Sequence, residues 1–174
     1  MIFSERNKIV NAIPAVDGNN TAVASDIISL KNYNHICFIL TFGVVNASSS
    51  AETGTGSESN LIAYKGEDVT TCATAFACKY RAEVTAAGDT LEALTTLSAT
   101  GVSMGTGNTL DITGDNATIV VEIDAADLAP TVANPYDTVK IGFRFSAHSI
   151  LLSAVAVLSQ PRWADASSPT AITD

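Results

Sequence analysis

The sequence predicts an all-β fold, a two-sheet antiparallel sandwich of jelly-roll-like form with about eight or nine strands and at most one short helical turn. Three observations predict it. Ala117–Asp124 and Val139–Ser146 alternate apolar and polar residues with a period of two. His35–Val45 is a continuous run of β-branched and aromatic residues, the pattern of a central strand buried on both faces. Between such segments lie clusters of Gly, Asn, Asp and Ser, the residues that turns use.

In chain order, Lys8–Ile13 and Thr21–Leu30 read as extended segments around a turn at Asp17-Gly-Asn-Asn20, with strand preferred over helix for the second because its apolar positions lack a clean 3.6 period. After His35–Val45, the Ser- and Gly-rich stretch Asn46–Asn60 has nothing to bury and is expected to be a long mobile surface loop. Leu61–Lys65 is a short strand ended by the turn Gly66-Glu-Asp68. Thr70–Arg81 contains one strand, with Phe76, Cys78 and Tyr80 on one side and Lys79 and Arg81 on the other. Leu91–Met104 is a weak, Thr- and Ser-rich strand whose flanking glycines at 101, 105 and 107 suggest a bend or bulge. In Ala117–Asp124, Ile119, Val121 and Ile123 point inward, and Asp124–Pro130 reads as one capped helical turn stopped by proline. In Val139–Ser146 the expected core residues are Ile141, Phe143 and Phe145, with Lys140, Gly142, Arg144 and Ser146 toward water. Ile150–Leu158 is a second apolar strand. The expected organisation is an N-terminal arm (1–14), one sandwich domain (15–159) and an extended tail (160–174) with two prolines.

Composition narrows the function. The chain has 174 residues and a charged fraction of 16%, so much of its surface must be Ser, Thr, Ala, Gly and Asn, which suits packing against neighbours. A net charge of −9 opposes binding to a phosphate backbone, which is driven by Lys and Arg, so no nucleic-acid partner is expected. No apolar run reaches the roughly 18 residues that would cross a bilayer, and the first residues carry mixed charges with no apolar stretch behind them. No membrane partner is therefore expected, and synthesis is expected in the cytoplasm.

Residue types that carry chemistry are sparse. His35 and His148 sit at the edges of apolar strands without an acidic neighbour in sequence, and are read as strand-end residues topping the core. No Gly-x-Ser-x-Gly elbow supports a Ser/His/Asp triad. Cys37, Cys72 and Cys78 lack metal-ligand spacing and are expected as reduced thiols, a Cys72–Cys78 bridge being the minor alternative. Asp111, Asp115, Asp124 and Asp127 lack EF-hand spacing and read as a solvated acidic edge. The glycines of Gly101–Gly107 lack the Lys-Ser/Thr of a phosphate loop. The expectation is thus no catalytic residue, no metal and no cofactor. Ile2, Phe3, Arg162 and Trp163 are the candidate partner contacts, because they lie outside the strand pattern. A large aromatic such as Trp163 there is either clamped onto its own domain or set in a neighbour's pocket.

Four segments carry a resemblance: Ser29–Gly43, Thr74–Arg81, Gly88–Leu94 and Val155–Ala164. The first reads leucine, lysine, aromatic, then an apolar strand ending in glycine, and the last contains Ser159-x-x-Arg162-aromatic. Together, over about residues 11 to 172, they resemble small virion structural proteins of tailed bacteriophages. The resemblance implies a role and not a reactive site: a decoration or cement protein on the outer surface of a capsid, bound to the major capsid protein and to copies of itself, with a trimer favoured. The long loop at Asn46–Asn60 departs from the family pattern and leaves a tail or head-to-tail position open. A carbohydrate-binding sandwich on a fibre would need aromatics in its loops, and this chain has one Trp. A hydrolase on the same scaffold would need converging polar groups.

Overall fold

The computed structural model describes residues 3–18, 22–45, 60–84, 90–104, 110, 112, 116–144 and 150–162. A helical turn α1 (Phe3–Arg6) leads into β1 (Lys8–Asp17), β2 (Ala22–Ala24), β3 (Ile28–Ser29) and β4 (Tyr33–Val45). There follow β5 (Asn60–Gly66), β6 (Cys72–Phe76), β7 (Cys78–Glu83), β8 (Thr95–Leu97) and β9 (Val102–Ser103). The chain continues with β10 (Thr118–Asp124), a 3-10 turn (Ala125–Leu128), β11 (Thr138–Arg144) and β12 (Ile150–Pro161). Two antiparallel sheets result. Sheet A runs β1-β12-β4-β10-β7-β8, and sheet B runs β2-β11-β5-β6 with β3 also on β11 and β9 on β5. Among the described residues no helix is long and apolar enough to cross a membrane.

The core lies between the sheets, and alternation explains who enters it. Ile36, Phe38 and Leu40 of β4 and Ile119, Val121 and Ile123 of β10 are fully buried, as are Val139 and Ile141 of β11. Phe42 and Phe143 meet across the layers with ring centroids 6.1 Å apart. Each such side chain contributes about 1.5–3 kcal/mol by leaving water. The expected inward set of β10 is therefore found, and so is the capped turn after it. Asp124 caps that turn with extended backbone, and Ala129 ends it in the left-handed region at φ 45°.

Several expectations are corrected. Thr70–Arg81 is two strands, one in each sheet, and Ala77 is where the chain crosses; Phe76, Cys78 and Tyr80 all still reach the core because both strands line the same interior. This split and the pieces β2, β3, β8 and β9, each of two or three residues, bring the described strands to twelve. Residues from Lys8 onward belong to edge strand β1 and not to an arm, because Val10, Ala12 and Ile13 bury against β12; register shifts flank Ile13, where Pro14 cannot donate to the ladder. Gly142 is buried rather than facing water, and a Cβ there would lie 3.3 Å from the Tyr64 ring. Gly66 must be glycine, since a Cβ there would lie 2.3 Å from the Thr71 carbonyl oxygen. Leu91–Met104 holds two short strands around a turn in which Gly101 takes φ 84°. The 46–59 part of the expected loop, residues 19 and 20 of the first turn, Phe145, Ser146 and the tail beyond 162 lie outside the described residues.

Candidate functional site

Strand register supplies what sequence spacing withheld from His35. Asp124 of β10 is its cross-strand neighbour, 89 positions away, and the imidazole Nδ1–H donates to Asp124 Oδ1 at 2.9 Å. On its other side His35 stands opposite Ser159 of β12. Three strands thus align Ser159, His35 and Asp124 on the outside of sheet A. Among the described residues no hydrogen bond joins Ser159 to the ring, so the row offers an oriented imidazole without an activated hydroxyl. His148 lies outside the described residues.

The thiols are poor nucleophiles. Burial, with Glu122 beside it, pushes the Cys37 thiol up to about 11. Burial pushes Cys72 to about 11 and, with Asp127 adding to the effect, Cys78 to about 12. All three are free; Cys72 and Cys78 belong to different sheets, and the Cys72 thiol donates to the Tyr64 carbonyl at 3.4 Å. Among the described residues no group of three His, Cys, Asp or Glu converges on a metal position. Asp111 and Asp115 are outside the described residues; Asp124 and Asp127 cap the 3-10 turn, the Asp124 N–H donating to Asp127 Oδ2 at 3.1 Å.

Among the described residues, the outer face of sheet A carries exposed apolar surface. There β4 departs from the expectation of burial on both faces: its even-numbered residues from Ile36 to Phe42 are buried, while Cys37 and Ile39 are only half-buried. Pairing registers place side chains in rows across the strands. One row is Ile9, Val157, Cys37, Glu122 and Lys79; the next is Asn11, Val155, Ile39, Val120 and Arg81. Ile9 is 51% exposed and Val155 37%. Six apolar residues therefore form one patch spanning four strands. Four of the polar residues around it are hydrogen-bonded within the chain. Thr41 and Ser153 share a hydroxyl hydrogen bond of 2.9 Å, Lys79 Nζ donates to Thr96 Oγ1 at 2.8 Å, and Arg81 Nη1 donates to the Glu92 carbonyl at 3.2 Å.

A second feature sits at one end of the sandwich. A cleft of about 590 Å³ opens between the β3–β4 turn, the 3-10 turn and the loop before β11, walled by Leu30, Leu128, Pro130, Val132 and Tyr136. Two of its walls are tied together by Lys65, whose Nζ donates to the Leu128 carbonyl at 2.7 Å and lies 4.4 Å from the Tyr136 ring centroid. Lys31, Asp137 and Arg162 edge the cleft. Burial raises the Asp137 carboxyl, with Lys31 and Arg162 opposing the shift.

Of the four expected partner contacts, two are described. Phe3 is 59% exposed on α1. Arg162 is exposed at the cleft, tied down by its N–H to the Asn32 carbonyl at 2.9 Å and its Nε to Asn34 Oδ1 at 3.0 Å. Ile2 and Trp163 lie outside the described residues. The patch on sheet A escaped sequence reading because Ile39, Val155 and Val157 lie in continuous apolar runs that look like core until the pairing is known. No protein-family model matches the chain, and no curated protein matches it in sequence.

Proposed function

We propose that this chain is a virion structural protein that binds the outer surface of a bacteriophage capsid lattice and stabilises it as a decoration or cement protein. The observation that carries the reading is the outer face of sheet A, a broad apolar surface beside which Thr41, Ser153, Lys79 and Arg81 are already hydrogen-bonded within the chain, which suits docking. The segments that resemble phage virion proteins contribute to it: Cys37 and Ile39 come from the first, Lys79 and Arg81 from the second, Val155 and Val157 from the last. A subunit that binds only the assembled lattice stabilises it by mass action, and many weak contacts add up to strong retention. The net charge of −9 fits a place on the outside, away from packaged nucleic acid.

The sandwich is read as a jelly roll. Setting aside β3, β7, β8 and β9 leaves β1-β12-β4-β10 facing β2-β11-β5-β6. Renumbered in chain order, these eight strands run 1-8-3-6 and 2-7-4-5, so all but one of their connections pass between sheets, as two interleaved Greek keys require. On this reading β7 and β8 extend one sheet beyond the basic fold.

The test uses particles that lack the chain. Purified wild type is expected to co-sediment with them and to reduce DNA release on heating or osmotic shock, and Val155→Asp is expected to bind at least tenfold more weakly. Particles equally robust with and without the chain would remove the stabilising role. Failure of the wild type to co-sediment would remove the capsid reading altogether.

A further inference from the structure

The loop from Ala129 to Tyr136 is built as a rigid projection. Pro130 and Pro135 restrict its backbone, the Thr131 N–H donates to the Asn134 carbonyl at 2.9 Å, and the Asn134 N–H donates to Thr131 Oγ1 at 3.0 Å. The Tyr136 N–H also donates to the Asn134 carbonyl at 2.9 Å. At its tip Val132 is fully exposed, at 105%. A single exposed valine is ordinary on a protein surface. What sets this one apart is its mounting on a proline-flanked, internally bonded loop beside an apolar cleft of about 590 Å³ that the same loop helps to wall.

We infer that this end of the sandwich is a contact between copies of the chain, with Val132 of one copy seated in the cleft of another. The cleft offers apolar walls, and the chain carries an exposed apolar tip on the same surface. A patch holding both a knob and a hole is complementary to itself: turned face to face, each copy offers its knob to the other's hole. The edge of the cleft matches too, since Lys31 and Arg162 of one copy can face Asp137 of the other. Because the loop is held before contact, little conformational entropy is lost on docking. Two copies of net charge −9 repel at a distance, so the contact is expected to tighten when salt screens that repulsion.

The inference goes beyond the capsid reading and does not depend on it. The experiment is sedimentation equilibrium of the full chain at 50 and 500 mM salt, on wild type, Val132→Asp, Val132→Ala and Val155→Asp. Wild type is expected to associate with rising concentration, more strongly at the higher salt. Val132→Asp is expected to weaken association at least tenfold, Val132→Ala less, and Val155→Asp not at all. Circular dichroism of each variant checks that the sandwich is intact, which is expected because Val132 is fully exposed in the single chain. A mass of one chain at every concentration would overturn the inference. So would association untouched by Val132→Asp, or association lost in Val155→Asp alone, which would move the contact to sheet A. Loss of particle binding with self-association intact would count against the capsid role only.

Discussion

The outer faces of the two sheets handle apolar surface in different ways. On sheet B, outward Tyr64 is covered by the chain itself: Lys140 stands opposite it and lays its Nζ 5.5 Å from the ring centroid, while Ala24 and Gly142 keep their part of the face small. On sheet A no comparable cover exists among the described residues, and Ile39, Val120, Val155 and Val157 meet solvent side by side. The difference between the two faces is what the proposed docking surface on sheet A rests on. The two faces of β4 show the same contrast within one strand: Phe38 is fully buried and Ile39 is half-buried on the outer face.

Mutation can break or sharpen this contrast, and the largest effect is expected inside. Phe38→Ala should cost about 3–5 kcal/mol in chemical denaturation, because a buried ring leaves a cavity. Val155→Asp, on the opposite side of the same sheet, should change the stability of the free chain by no more than about 0.5 kcal/mol. If Val155→Asp proved as damaging as Phe38→Ala, the outer face would be part of the core and not a docking surface.

Lys65→Met comes next. It removes the bond to the carbonyl of Leu128, a wall residue of the end cleft, and should lower stability by about 1–2 kcal/mol while leaving the outer face of sheet A unchanged in particle binding. A smaller effect is expected at alkaline pH. The folded thiols of Cys72 and Cys78 titrate near 11 and 12, above the ordinary 9.0, so the stability they contribute is complete below 9 and is lost as pH rises toward those values. Urea unfolding at pH 7.5, 9 and 10.5 should show this decline, and Cys78→Ala should flatten it.

The smallest effect belongs to a surface turn. Asp68 accepts hydrogen bonds from the N–H and hydroxyl groups of Thr70 and Thr71, which hold its carboxyl at about 2. A depressed carboxyl contributes above its unfolded value and loses that contribution as pH falls from about 4 toward 2. Asp68→Ala should therefore reduce the acid dependence of unfolding across that window, and an unchanged acid profile would show that the turn adds nothing to the fold.

Sequence by itself determined the class of fold and which side chains alternate on β10 and β11, because a strand's period of two is a local property of the backbone. It also fixed the position of the 3-10 turn, through Asp124 at its start and Pro130 just beyond its end. What only the tertiary structure decided is who stands beside whom. Alternation marks two faces of β4 but not which of two apolar faces looks outward, and hydrophobicity is the same for Phe38 and Ile39. The row Ser159, His35 and Asp124 and the apolar patch join residues up to 148 positions apart, from Ile9 to Val157, through ladder registers. Those registers are set by the packing of two whole sheets, and no single segment encodes them.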